Sequence, residues 1–200
     1  MMSHELITLS TIYFIALLSP GQDFFLILST SLSQGYAKAW WNCAGIALGN
    51  ALYIVLAFIG HTLFSQSFLF IYIKLGGALF LIYLGYVLIM APKPINNHNS
   101  PKAHDHWRLF FQGFFSALLN PKNIIFYFSV LFTIISIHTP WSLKIFYTLW
   151  MVFLLLVWDM SIAFIFGNKR AKILLPYLYP LQKIIGIVLV SFGMYEIYTF

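Results

Sequence analysis

The sequence predicts an all-α polytopic membrane protein, with six transmembrane helices built as two inverted three-helix repeats. Three observations carry that expectation. Hydrophobic residues make up 61% of the chain and charged residues 8%, with a mean hydropathy of +0.87, whereas soluble domains carry about 25% charged residues. A chain of 200 residues holds about six spans with their connections, since about 20 apolar residues cross roughly 30 Å of hydrocarbon. Two apolar segments, one in each half, are broken by proline at matching positions. The expected organisation is a single transmembrane transporter domain over 1–200. Repeat one covers 1–91, a cytoplasmic loop 92–108 and repeat two 109–200.

Each element follows from local chemistry. The first span runs from about Leu6 to Ser33 and is interrupted at Pro20-Gly21, because proline removes an amide hydrogen and clashes with the preceding turn. Gln34–Lys38 reads as a short turn. The second span, about Ala39–Phe64, carries Gly45 and Gly49 at a spacing that lets two helix backbones approach closely. Asn50 in its middle either bonds a neighbouring helix or lines a polar path, while His61 reads as interfacial. The third span covers about Phe68–Met90 and stops at Ala91-Pro92-Lys93-Pro94. The aqueous stretch Ile95–Trp107 holds His98, His104 and His106, but no cysteine joins them, and a solvated linker is expected there with no metal site. The fourth span, about Leu109–Ile137, is interrupted at Asn120-Pro121-Lys122-Asn123. The fifth covers about Ser142–Gly167 and carries Asp159, and the sixth runs from about Leu178, with Glu196 read as an interfacial charge.

The net charge of +6 reports topology and gives no reason to expect a nucleic-acid partner. Lys38, Lys93, Lys102, Arg108, Lys169, Arg170 and Lys172 follow the first, third and fifth spans, against Lys144 and Lys74 on the opposite side. The positive-inside tendency places the first set in the cytoplasm and both termini outside. Cys43 is the single cysteine, so neither a disulfide framework nor a dithiol carrier is expected within one chain. The N-terminus lacks a basic leader, so the first span reads as retained. No histidine lies mid-span to serve a hydrolase, and no enzymatic activity or cofactor is expected. A homodimer is compatible with the composition.

The two halves share a sequence echo. Phe14-Ile15-Ala16-Leu17-Leu18-Ser19-Pro20 matches Phe115-Ser116-Ala117-Leu118-Leu119-Asn120-Pro121 at five of seven positions. Three spans per half is an odd number, so the second copy enters the membrane from the opposite side. Proteins built this way place their substrate near the midplane, where an interrupted helix of each half meets the other. The candidate substrate-binding residues are therefore Pro20, Gly21, Gln22, Asp23, Asn50, Asn120, Pro121, Lys122, Asn123 and Asp159. Asp23 and Asp159 are also the proton-coupling candidates, because an intramembrane carboxylate costs about 2.5–3.5 kcal/mol or more and marks function by default. Asp23 and Lys122 could pair across the pseudo-two-fold axis, as a structural lock, a transport element or both. Half-helix N-termini favour a carboxylate, and freed carbonyls with Asp23 or Asp159 favour a cation. A zwitterion meets both demands, which points to an amino acid or another small polar solute.

These motifs carry a resemblance. Leu18-Ser19-Pro20-Gly21-Gln22-Asp23-Phe24, Ser33-Gln34-Gly35-Tyr36, Gly45-Ile46-Ala47-Leu48-Gly49 and Lys74-Leu75-Gly76-Gly77-Ala78 resemble the LysE/RhtB family of amino-acid exporters, which includes homoserine/threonine-type efflux proteins. So do Tyr83-Leu84-Gly85, Gly113-Phe114, Leu119-Asn120-Pro121-Lys122 and Asp159. The likeness covers nearly the whole chain in order. It implies six helices, a bacterial inner membrane and export of amino acids or close derivatives, driven by proton exchange. Many relatives have proline where this chain has Gln22. The expected motion rocks one three-helix half against the other. An inorganic cation exporter or a non-transporting membrane scaffold are the alternatives.

Overall fold

The computed structural model describes residues 2–19, 21–64, 69–90, 105–136, 138–168 and 175–198. Among them every regular element is helical: α1 (Met2–Leu17), α2 (Gln22–Gln34), α3 (Tyr36–Phe64), α4 (Leu69–Met90), α5 (His106–Leu118), α6 (Pro121–Ile134), α7 (Trp141–Phe166) and α8 (Leu175–Tyr198). Most are apolar all round, as helices facing lipid on one side and protein on the other must be. Three described helices are long and apolar enough to cross a membrane, or up to five if each bent pair is one span. The expected six spans thus stand at three to five, with the apolar stretch Leu75–Met90 of α4 in addition. The loop residues Lys93, Lys102, Lys169, Arg170 and Lys172, and the histidines His98 and His104, lie outside the described residues.

Both expected interruptions are present. α1 ends at Leu17, its last turn closed by Leu18 N–H to Phe14 O at 3.1 Å and Ser19 N–H to Ala16 O at 3.1 Å. Pro20 lies outside the described residues. Gly21 then caps α2 in an extended conformation, with Asp23 in the first turn, where a carboxylate meets the positive end of the helix. In the second half Asn120 is the N-cap of α6, and its side chain accepts from Lys122 N–H at 3.1 Å. Pro121 occupies the first helical position, where its missing amide hydrogen costs nothing. The chain bends by 57° at each break. The turn expected over 34–38 is narrower: only Gly35 leaves the helix, at φ 87°, a left-handed value that glycine adopts without strain.

Two seams of small residues hold the bundle. Along α3–α5, a Cβ on Gly45 would strike the Phe110 backbone, one on Gly113 the Asn42 backbone, and one on Gly49 the Ala117 Cβ at 2.9 Å. Asn42 Nδ2 donates to Leu109 O at 2.8 Å, and the Tyr53 hydroxyl donates to Leu118 O. Along α4–α8, Gly85 and Gly186 meet backbone to backbone, and Gly193 sits against Ala78 O. Gln182 Nε2 and Lys183 Nζ donate to Leu88 O and Ile89 O on the same seam. Close approach of this kind replaces the hydrophobic drive that lipid cannot supply. Each seam joins a helix of the first half to one of the second, so rocking intact halves would have to part both.

Three residues read from the sequence as interfacial or loop charges are buried instead. His61 is fully buried, with Nε2–H to Ile135 O at 3.0 Å. Lys144 is 3% exposed and donates to Thr62 Oγ1 at 2.7 Å. Glu196 is also buried. Nearness to a helix end says nothing of which face a neighbour covers.

Candidate functional site

The two breaks lie against each other, and side chains from both halves bridge them. Asp23 Oδ1 accepts from Ser116 Oγ at 2.6 Å, and Asp23 Oδ2 accepts from Asn123 Nδ2 at 3.0 Å. Asn123 Nδ2 also reaches Ala117 O at 3.3 Å. Lys122 Nζ donates to Ser19 Oγ at 3.2 Å, on the other side of the first break. Beside these bridges opens a small cavity of about 70 Å³. Its polar wall includes Ser19, Asp23, Asn50, Asn120, Lys122 and Asn123, and α7 adds Asp159.

Asp159 stands apart from the other acids. Its side chain is 5% exposed, and its Oδ2 has no hydrogen-bond partner among the described residues. A buried acceptor is seldom left unsatisfied without a reason, because the desolvation penalty for a charged group is several kcal/mol. A cationic group entering the cavity would supply the missing partner. Asp23, by contrast, has both oxygens engaged. Lys122 offers an ammonium on the same wall, so the cavity carries separated acidic and basic groups.

The structure gathers Gly21, Asp23, Asn50, Asn120, Lys122, Asn123 and Asp159 around the cavity. Asn50 Nδ2 donates back to Ile46 O at 2.8 Å on its own helix, so it bonds no neighbouring helix with that group. Gln22 is exposed and faces a separate shallow groove with Leu26, Phe111, Gln112 and Phe115. Pro20 is outside the described residues, and of Pro121 only the helical backbone is described. Asp23 and Lys122 share the cavity wall without forming a direct ion pair. Adjacent helical residues point about 100° apart, so with Asn123 turned to Asp23, Lys122 turns to Ser19.

Sequence reasoning passed over the aromatic wall: Tyr13, Phe24, Phe126, Tyr127 and Trp158. The hydroxyls of Tyr13 and Tyr127 meet at 3.0 Å, both rings being buried. A helical signal was available for two apolar lining residues of α7. Leu155 and Ile162 stand at i−4 and i+3 from Asp159 and share its face. Ser116 is one of the two positions that depart from the repeat, standing opposite Ile15, as Asn120 stands opposite Ser19.

A bent-helix bundle of apolar helices enclosing a polar cavity is the form of a membrane translocator. The chain matches the family model described as LysE type translocator over residues 14–199, and it belongs to that family. It is 28% identical to the uncharacterized membrane protein YrhP of Bacillus subtilis, over 96% of this chain and 97% of that one. It is 39% identical to the homoserine/homoserine lactone efflux protein of Salmonella typhimurium over 54% of each chain. It is 28% identical to the threonine efflux protein of Escherichia coli over 62% of this chain and 63% of that one. The alignment thus spans about half the length of the homoserine efflux protein. No solved structure matches the chain.

Proposed function

We propose that this protein is a secondary exporter that carries a small amino acid or close derivative out of the cytoplasm in exchange for protons. The observation that carries the reading is the unpartnered Asp159 carboxylate in the same cavity as the Lys122 ammonium. A zwitterion would set its ammonium on Asp159 and its carboxylate on Lys122 and the first turn of α6. Asp23, held by Ser116 and Asn123, keeps the two breaks together and serves with Asp159 as a proton carrier. The relatives named for homoserine and threonine efflux support an amino acid of that size and polarity.

The domain is one inverted-repeat transporter of six spans in a bacterial inner membrane, with both termini outside the cytoplasm. The equal bends at the two breaks support the repeat. So does the pairing of α2 with α7, matched by α6 with α3. The basic loops support the orientation.

The test is resistance: cells overexpressing the chain should tolerate toxic amino acids or analogues that arrest control cells. Resistance confined to metal salts would favour a cation exporter instead. In everted vesicles, collapsing the pH gradient should stop uptake, and uptake indifferent to it would remove proton exchange from the proposal. Lys122→Gln should raise the half-saturating substrate concentration about 10- to 100-fold, the worth of one charge-assisted hydrogen bond. Disappearance of the protein from the membrane would instead mark Lys122 as a structural group.

A further inference from the structure

α1 is held differently from the helices around it. α3 with α5 and α4 with α8 meet backbone to backbone at glycine, contacts that leave bare gaps when parted. Met2–Leu17 contains no glycine, and it meets its neighbours through the buried side chains of Leu9, Ile12 and Tyr13 without close backbone approach. Its polar ties are side-chain hydrogen bonds at three levels. At the start of α1, Glu5 is buried and accepts from Ser136 N–H at 3.2 Å, Thr139 Oγ1 at 3.3 Å and the Tyr147 hydroxyl at 3.2 Å. Midway, Trp150 Nε1 donates to Ser10 Oγ at 2.9 Å. Nearest the break, the Tyr13 hydroxyl meets that of Tyr127 at 3.0 Å.

All of these partners belong to α6, α7 or the turn between them. Tyr13 and Ala16 on α1 also line the cavity. The helix therefore forms part of the cavity wall from Ala16 to Tyr13 and ends in a buried carboxylate near the membrane face where it begins. We propose that α1 is a gate to that face, hinged at Leu18-Ser19 and latched shut by Glu5. Releasing Glu5, then Ser10 and Tyr13, lets α1 tilt away and opens the cavity while both glycine seams stay closed. This rests on the transporter reading for its purpose, but the gate can be measured with no substrate at all.

The reporter is Ala16→Cys in a chain whose buried Cys43 is replaced by alanine. The probe is a membrane-impermeant maleimide, applied to intact cells and to everted vesicles so that each face is sampled in turn. Glu5→Ala removes the latch and should speed labelling about tenfold from one face only, since a hydrogen bond to a charged group holds at least that factor. Unchanged labelling, or an equal rise from both faces, overturns the gate. If Glu5→Ala does not accumulate in membranes, Tyr147→Phe removes one of the latch bonds and keeps the ring. It should give about a threefold rise from that same face, the lower end for one bond, and an unchanged rate there also overturns the proposal. A chain that exports none of the amino acids tried but shows the one-sided rise would sink the cargo and leave the gate.

Discussion

An Asp159→Asn chain should reach the membrane in normal amounts and export at about a hundredth of the parent rate or less. The ammonium of a bound zwitterion would lose its only unshared carboxylate partner, and truncating one side of a buried charge pair costs about 2–5 kcal/mol. Stability should move the other way. The carboxylate has an unpartnered oxygen in an almost fully buried side chain, and asparagine keeps its shape without the charge that makes it expensive in a bilayer. Thermal unfolding in detergent should thus occur at the same temperature or a higher one. Activity lost while stability is kept or gained is the mark of a group retained for function. A falling midpoint together with lost export would instead make Asp159 a structural residue. The same comparison on Asp23→Asn should show both losses, because Ser116 and Asn123 both bond its carboxylate.

The contrast between these two acids was only half visible in the sequence. Both stood out as charges in apolar segments, and that is a property of each residue's own neighbourhood. The partners of Asp23 come from the other half of the chain, about a hundred residues away, and the open oxygen of Asp159 shows only in the fold. Ser116 carries no signal beyond being one of two differing positions in a shared motif. The breaks were legible for a different reason. Pro-Gly and Asn-Pro dictate backbone geometry locally, so the ends of α1 and α5 follow from a few residues. Helix bounds were read to within about four residues elsewhere. The aromatic wall was not, since Tyr13 and Trp158 look like any other residues of a chain that is 20% aromatic. The Gly45–Gly49 spacing showed that a backbone would come close. That it is α5, from the opposite half, follows only from the fold, and this alters which parts of the molecule can move.

Gly113→Val and Gly76→Ala should have opposite effects, and the difference tests the seams directly. Both glycines sit inside apolar helices, where glycine costs about 0.5–1 kcal/mol relative to alanine through backbone freedom. At Gly76 a Cβ would meet nothing within 4 Å, so Gly76→Ala should leave stability unchanged or raise it by that amount. At Gly113 a Cβ would strike Asn42, reaching its carbonyl carbon at 2.9 Å and its Cα at 3.0 Å. Those are backbone atoms of α3 and cannot rotate aside. α5 must then move away from α3, breaking the bond from Asn42 to Leu109 and the contact of Gly45 with Phe110. Overpacking costs about 1–3 kcal/mol even where side chains can adjust, and here they cannot. Gly113→Val should therefore lower the unfolding midpoint sharply and deplete the protein from membranes. Gly113→Ala should fall between the two. If Gly113→Val unfolded at the parent temperature, α3 and α5 would not be a rigid pair, and the case for α1 as the element that moves would lose its counterpart.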